Sequence, residues 1–253
     1  MSERWSVEHG MCVRRVGAGP ELVWIHGLGE WSVNFDPLAR RPELAAWTHV
    51  LVDLPGYGRS PRADLPALDD VAGALAAWLA ERPPAVLVGH SMGGVLATLV
   101  AERQRVRAVV DVDGNLTRGD CTFSAQAEAY TADEFAAAGF QRMRDDVYRR
   151  GLDDAALRGY HAAMCATSPV AFHRHSVDLV RLSTEETLAP RLGALQVPVL
   201  FVAGVPGGVC EHSRALLDRH GVRWIAIEPS GHWVHVDRPD AFTAALAQFV
   251  GEL

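Results

Sequence analysis

The feature that most constrains the fold is a tight strand-to-helix turn at residues 89–93, which read Gly-His-Ser-Met-Gly. The apolar run 85–88 before the turn has the length and branching of a buried parallel strand. After the turn, apolar residues recur at helical spacing as far as Val100. A Gly-x-Ser-x-Gly turn can be purely structural, but this context predicts a nucleophile elbow. It would present Ser91 at a helix N-terminus, where backbone N–H groups favour negative charge.

The rest of the chain alternates strand-like and helix-like segments. Strands are predicted near residues 4–8, 11–16, 21–25, 48–53, 85–89, 106–112, 197–203 and 223–227, and helices near residues 68–80, 211–220 and 239–249. Such alternation indicates an α/β fold, with a mostly parallel sheet that helices cover on both faces.

One long segment interrupts this alternation. Residues 115–190 mix helix formers with aromatic residues and histidines, and they show little strand periodicity. Because a structureless segment of this length is improbable in a compact domain, we expect a mostly helical insertion. The 253 residues show no sign of a second core. The prediction is one domain, with residues 1–114 and 191–253 as its core and residues 115–190 as a helical cap.

The charged residues exclude several functions. Against 31 acidic residues the chain has 24 basic ones, and all of these are arginine. No basic stripe suited to phosphate backbones is present, so we expect no nucleic-acid partner. Without lysine, a Schiff base and a phosphate-binding loop of the Gly-Lys-Ser/Thr type are both excluded.

The cysteines and the N-terminus favour a cytoplasmic protein. None of the paired spacings of a zinc site or a redox motif links the four cysteines, which are Cys12, Cys121, Cys165 and Cys210. The first five residues lack the apolar core of a signal peptide, and no apolar run is long enough to span a bilayer. We therefore expect reduced thiols, a cytoplasmic location and no membrane partner.

A serine hydroxyl becomes a good nucleophile only when a base removes its proton, so Ser91 requires a histidine within hydrogen-bond reach. Of the 11 histidines, His232 is the best candidate because it follows the last predicted strand, where it can reach back over the sheet edge. His235 is the nearest competitor. His90 adjoins the serine, but its position directs its side chain elsewhere.

Acyl transfer also requires two backbone donors for the oxygen that becomes negative. Met92, directly after the nucleophile, supplies one N–H. The turn at residues 26–29, which reads His-Gly-Leu-Gly, supplies the other from Leu28. An ordinary tight turn is the alternative interpretation of residues 26–29.

Four motifs together resemble the α/β-hydrolase superfamily. They lie at residues 26–29, 53–60 (Asp-Leu-Pro-Gly-Tyr-Gly-Arg-Ser), 89–94 and 231–233 (Gly-His-Trp). The resemblance covers nearly the whole chain outside the insertion. It implies an eight-stranded core sheet, a cap inserted after the sixth strand, and a triad of serine, acid and histidine that needs no cofactor.

The triad acid departs from the usual pattern. Relatives most often carry an aspartate shortly after the seventh strand, where residues 203–210 of this chain contain no carboxylate. A minority place the acid after the sixth strand, where this chain has Asp113. Strand alternation puts Asp111 on the same side, but only Asp113 reaches the carboxyl edge of the sheet. We predict Asp113 as the acid; Glu211 and a triad without an acid are the alternatives.

The remaining candidates concern the pocket. We expect His26, Trp31 and Trp233 to contact the substrate, although aromatic residues are more often plain core. His173 and His175, with His161, suggest a metal site only weakly, because no carboxylate is spaced to complete it. We predict no metal ion.

These features predict a serine hydrolase that cleaves an ester, thioester or lactone of a small to medium apolar acid through an acyl-enzyme. A carbon–carbon bond hydrolase with the same triad is one alternative, and a small-molecule binding protein that does not catalyse is another. The expected partner is a small molecule, and the expected state is a monomer or homodimer.

Overall fold

A computed structural model describes residues 3–62 and 65–253. Residues 1 and 2, on which the prediction about a signal peptide partly rests, lie outside this range. The strands are β1 (Glu3–Glu8), β2 (Met11–Gly17), β3 (Glu21–Ile25), β4 (Thr48–Asp53), β5 (Val86–His90), β6 (Ala108–Val112), β7 (Val199–Gly207) and β8 (Trp224–Gly231).

All eight strands form one sheet in the order β1-β2-β4-β3-β5-β6-β7-β8. β1 pairs with β2 and β2 pairs with β4 in antiparallel fashion, and every other pairing is parallel. Residues of the central strands are buried on both faces, as expected where helices cover both sides of a parallel sheet. The predicted eight-stranded, mostly parallel α/β sheet is confirmed.

Helices lie between strands of the sheet along the chain and follow the last strand. They are α1 (Asp36–Ala39), α2 (Leu68–Ala80), α3 (Met92–Ala101), α4 (Thr122–Glu128), α5 (Ala132–Glu134), α6 (Phe140–Arg150), α7 (Ala155–Met164), α8 (Pro169–Thr184), α9 (Leu188–Ala194), α10 (Glu211–Arg219), α11 (Val234–Asp237) and α12 (Pro239–Gly251). α2, α3 and α10 contribute to the apolar core on one face, while α1 and α12 contribute to the core on the other. None of the helices described is long and apolar enough to cross a membrane.

The chain between β6 and β7 is helical, and we call residues 115–190 the inserted segment. Its longest helix, α8, is tied to the core: the backbone N–H of Leu68 donates to Asp178 at 2.9 Å. The His175 ring lies 2.8 Å from the Tyr57 hydroxyl and 3.0 Å from the Pro66 carbonyl. The predicted boundary after residue 190 falls inside α9, which packs against α3 and α10.

β7 and β8 are longer than predicted at their carboxyl ends. Residues 204–207, expected to be loop, continue β7: Gly204 pairs with Ile227, and after a register irregularity Pro206 and Gly207 pair with Ser230 and Gly231. The pairing brings the backbones so close that a Cβ on Gly204 would lie 2.1 Å from the Gly231 carbonyl oxygen. Most of the segment 203–210, in which the resemblance led us to look for the acid, is therefore strand in this chain.

Candidate functional site

Ser91 lies at the turn between β5 and α3 with φ 55° and ψ −123°. A positive φ is costly for a residue with a side chain, by about 1–3 kcal/mol. Two glycines permit the turn, because a Cβ on Gly89 would lie 2.1 Å from the Gly93 carbonyl oxygen. A Cβ on Gly93 would lie 2.0 Å from the Ile25 carbonyl oxygen. Close packing on both sides of the turn keeps Ser91 in this strained backbone conformation.

His232 and Asp113 are in direct contact. The Nδ1 atom of His232 lies 2.6 Å from Oδ2 of Asp113, whose side chain is fully buried. The other oxygen of the Asp113 carboxylate accepts the N–H groups of Gly204 at 2.9 Å and Val209 at 3.1 Å. Because a carboxylate only accepts, Nδ1 carries a proton, and in the neutral ring the lone pair is on Nε2. This is the form of histidine that can act as a base.

Space for the Asp113 carboxylate depends on Gly208. A Cβ on Gly208 would lie 2.3 Å from Oδ1 of Asp113. Glu211, the alternative acid, is exposed at the start of α10. In the part of the chain that the structure describes, it makes no hydrogen bond to His232. Of the two acids considered, the structure brings only Asp113 to the histidine.

The Ser91 hydroxyl makes a hydrogen bond to a residue that was not predicted to belong to the site. It donates to Oδ1 of Asn115 at 3.2 Å, while the amide nitrogen of Asn115 donates to the Asp120 carbonyl at 2.9 Å. Across the described residues, no hydrogen bond joins Ser91 to His232. The signal available in the sequence was a polar residue two positions after Asp113, at the carboxyl edge of the sheet.

The two predicted oxyanion donors flank Ser91. Met92 is the first residue of α3, so its N–H has no partner within the helix. Leu28 lies in the turn after β3, which packs against the serine: a Cβ on Gly27 would lie 3.1 Å from the Ser91 Cβ. Within residues 3–62 and 65–253, the Leu28 N–H has no hydrogen-bond acceptor. Both groups are therefore free to bind a substrate oxygen.

A cavity of about 300 Å³ opens beside Ser91 and His232. The sheet edge and the inserted segment both contribute to its wall. Its apolar and aromatic lining includes Leu28, Phe123, Leu157, Tyr160, Leu179 and Trp233. Arg150 also lines it, and its guanidinium lies 5.9 Å from the Phe123 ring centre. The cavity has the size and lining of a small-molecule site.

Of the three predicted substrate contacts, the structure brings only Trp233 to the cavity. His26 is fully buried, with Nδ1 on the Gly27 carbonyl at 2.8 Å and Nε2 accepting the Leu54 N–H at 3.0 Å. Both ring nitrogens are thus used to hold two loops together. The Arg59 guanidinium lies 5.5 Å from the ring centre of Trp31, and Trp31 is not part of the cavity wall.

The other histidines do not compete with His232. His235 is fully buried, and burial lowers its pKa to about 3, so it is neutral. The His173 ring lies 2.8 Å from the Tyr130 carbonyl oxygen, whereas the His175 ring lies 3.0 Å from the Pro66 carbonyl oxygen, so the two histidines have different partners. Among the residues described, no group of three or more histidines, cysteines or carboxylates is placed to hold a metal ion.

The sequence is similar to known proteins over nearly its whole length. Residues 22–245 match the model of the alpha/beta hydrolase family. The chain is 31% identical to 2-succinyl-6-hydroxy-2,4-cyclohexadiene-1-carboxylate synthase of Serratia proteamaculans, over 91% of this chain and 93% of the relative. It is 28% identical to pimeloyl-[acyl-carrier protein] methyl ester esterase of Xylella fastidiosa, over 96% of this chain and 100% of the relative.

Solved structures agree on the fold. The enol-lactonase of Burkholderia xenovorans superimposes with a TM-score of 0.77 over 98% of this chain and 100% of that one, at 18% identity. The predicted assignment to the hydrolases is confirmed by the family model and by a relative that is named an esterase. The family model and the sheet topology together establish that this chain belongs to the α/β-hydrolase family.

Proposed function

We propose that the protein is a serine hydrolase that cleaves an ester, thioester or lactone, with Ser91 as nucleophile, His232 as base and Asp113 as the triad acid. The main support is the 2.6 Å contact between His232 Nδ1 and Asp113 Oδ2, which directs the proton of the neutral ring to Nδ1 and makes Nε2 the basic nitrogen, at the cavity that contains Ser91. The Leu28 and Met92 N–H groups are the proposed oxyanion donors.

The reaction begins when the Ser91 hydroxyl turns from Asn115 to His232. His232 takes the proton as Ser91 attacks the carbonyl carbon, and the Asp113 carboxylate stabilises the imidazolium that results. The carbonyl oxygen becomes negative and accepts the two backbone N–H groups. His232 then protonates the leaving group, and water releases the acyl group from Ser91 by the same steps.

The substrate is proposed to be a small to medium acyl compound. A cavity of about 300 Å³, whose wall combines apolar and aromatic side chains with polar ones, has room for such an acyl group. One relative is named an esterase of a pimeloyl methyl ester and one structural neighbour an enol-lactonase, both consistent with cleavage of a carbonyl–oxygen bond. We propose the inserted segment as the cap over this cavity, to which Phe123, Tyr160 and Leu179 contribute.

A turnover screen tests the proposal. The purified protein is incubated with p-nitrophenyl esters of increasing acyl length, the corresponding thioesters and a set of lactones. We expect turnover of at least one class and an acyl adduct on Ser91, detected by mass spectrometry of a quenched reaction. A protein that turns over none of them and forms no adduct would contradict the proposal.

One relative favours a second candidate. The Serratia relative is named as a synthase of a cyclohexadiene carboxylate and not as an esterase. A reaction other than ester hydrolysis is therefore the second candidate, and cleavage of a carbon–carbon bond in a diketone-like compound, with the same serine, histidine and acid, is the form that we propose to test. Turnover of such diketones that exceeds turnover of every ester in the screen would favour it.

Asn115 is expected to restrain the nucleophile. Its carbonyl oxygen accepts a hydrogen bond from the Ser91 hydroxyl at an oxygen–oxygen distance of 3.2 Å and so competes with His232. Since a neutral hydrogen bond contributes about 0.5–1.5 kcal/mol, Asn115→Ala should speed labelling of Ser91 by a fluorophosphonate by up to about tenfold. Asn115→Asp keeps the acceptor and adds charge, and should slow labelling. Equal rates in all three proteins would show that the contact has no kinetic role.

Gly208 is expected to be required for the acid. Gly208→Ala puts a Cβ into the space of the Asp113 carboxylate and should lower kcat about 10- to 100-fold, because misplacing a catalytic group by about 1 Å costs about 100-fold. The matched control is Gly159→Ala. Gly159 lies in helix α7, and a Cβ at this position would have no atom within 4 Å. This control should keep kcat and add about 0.5–1 kcal/mol of stability. Unchanged kcat in Gly208→Ala would contradict the expected role.

A further inference from the structure

A buried ion pair lies beside the candidate site and takes no part in the proposed chemistry. Glu30 and His90 are each 1% exposed, and His90 Nδ1 lies 3.0 Å from Glu30 Oε2. Removing two charges from water costs several kcal/mol per ion, so a buried pair is weak evidence of stabilisation. Stabilisation of the fold therefore does not explain why this ion pair is buried here.

Hydrogen-bond geometry indicates that both members are charged. His90 Nε2 lies 2.9 Å from the His232 carbonyl oxygen, which can only accept, so Nε2 carries a proton. The Glu30 carboxylate accepts the Gly27 N–H at 2.9 Å and the Trp233 indole N–H. An ionised Glu30 carboxylate can accept from both donors and from His90 Nδ1. In that state Nδ1 carries a proton too, and His90 is an imidazolium.

The titration tendencies agree with this geometry. Burial alone would lower the pKa of His90, but the charge of Glu30 and its hydrogen bond raise that pKa above its ordinary value. Burial alone would raise the pKa of Glu30, but the charge of His90 and its hydrogen bond hold that pKa well below its usual range. The other titratable groups that act on the pair are His26, Asp111, Asp113, Tyr160, His232 and His235.

The pair connects the three chain segments that hold the proposed catalytic groups. Each donor to Glu30 comes from a residue next to one of these groups. Gly27 precedes the oxyanion donor Leu28, His90 precedes the nucleophile Ser91, and Trp233 follows the base His232. His90 adds a second link, to the His232 carbonyl. These segments are far apart in the chain, and one carboxylate joins all of them.

We propose that Glu30 is a positioning residue: with His90 protonated, its carboxylate holds the oxyanion turn, the nucleophile turn and the His232 loop in one arrangement. The kinetic part of this inference rests on the proposed function. The structural part does not, because it concerns the protonation of His90 and the geometry of the His232–Asp113 contact.

The first test is ¹⁵N NMR of the histidine rings, with His90 assigned through the backbone resonances of residues 89–91. In the wild type we expect both His90 ring nitrogens to carry protons at about pH 8, above the ordinary histidine pKa of about 6.5. In Glu30→Gln we expect one nitrogen to lose its proton. A neutral His90 in the wild type at about pH 7 would overturn the proposal without any variant.

The second test follows the proton between His232 Nδ1 and Asp113, which should resonate far downfield because the contact is short. In Glu30→Gln we expect this signal to move or broaden, because the amide cannot accept from all three donors. We also expect kcat to fall about 10- to 100-fold with KM within about threefold, as misplacement of catalytic groups predicts. Glu30→Asp, which keeps the charge, should recover part of kcat.

The matched control is Asp53→Asn. Asp53 is also a fully buried carboxylate on backbone N–H groups, those of Ser32 at 2.7 Å and Arg59 at 2.9 Å, and it has no hydrogen bond to the His232 loop among the described residues. In Asp53→Asn, the His90 and His232 signals should match those of the wild type. A folded Glu30→Gln with an unmoved His232 signal would overturn the proposal. If the wild type turns over nothing, the proposed function fails, while the two NMR tests still decide the role of Glu30.

Discussion

Replacing Asp113 by asparagine is expected to lower kcat about 10⁴-fold and to leave KM nearly unchanged. The N–H groups of Gly204 and Val209 require an acceptor, so the asparagine oxygen must face them. Its NH₂ group is then turned toward His232 Nδ1. To accept that donor, the His232 ring must shift its proton to Nε2, and the lone pair that would deprotonate Ser91 is lost.

Steady-state kinetics on the best ester from the screen measure this loss, with Glu211→Gln as the control. Glu211 is exposed at the start of α10, and its replacement should change kcat less than about twofold. The reverse result, in which Glu211→Gln loses activity and Asp113→Asn retains it, would assign the acid to Glu211. Full turnover in both variants would mean that the site works without either acid.

Replacing Ser91 by alanine is expected to lower kcat about 10⁶-fold, because loss of the nucleophile alone removes nearly all the catalysis that a triad provides. The reason is that His232 and the oxyanion donors then have no hydroxyl to activate and no covalent intermediate to stabilise. The same variant should not react with a fluorophosphonate, which labels only an activated serine.

Labelling of the wild type is measured by fluorescence and by intact mass, with Ser176→Ala as the control. Ser176 is fully buried in α8, donates to the Phe172 carbonyl at 2.7 Å and is not part of the cavity wall, so its replacement should leave labelling intact. If the wild type resists labelling, the better interpretation is a small-molecule binding protein that has the family fold without its chemistry.

The position of the Asp113 side chain follows from backbone packing at the carboxyl ends of β6, β7 and β8. Residues 204–207 extend β7 and pair with β8, and residues 203–210 contain no carboxylate. Asp113, with a φ of 53°, directs its side chain into the space beside Gly208. A carboxylate after the sixth strand thus reaches the histidine that a carboxylate after the seventh strand would usually contact.

Much of the fold could be predicted because its signals are local. The turn at Ser91 depends on glycines two residues away, on the apolar strand before it and on the helix after it, all within about fifteen residues of chain. The alternation of strands and helices is likewise read segment by segment. The strand ends were less predictable, since the extension of β7 requires a partner in β8.

The sequence alone therefore determined the class of fold, the strand-to-helix turn at Ser91 and the residue types available for a triad, because these depend on short-range pattern and chain order. Only the tertiary structure decided which residues meet. It placed Asp113 rather than Glu211 on His232, put Asn115 on the Ser91 hydroxyl and used both nitrogens of His26 in the interior. Contacts between residues distant in the chain depend on three-dimensional packing, which no local pattern specifies.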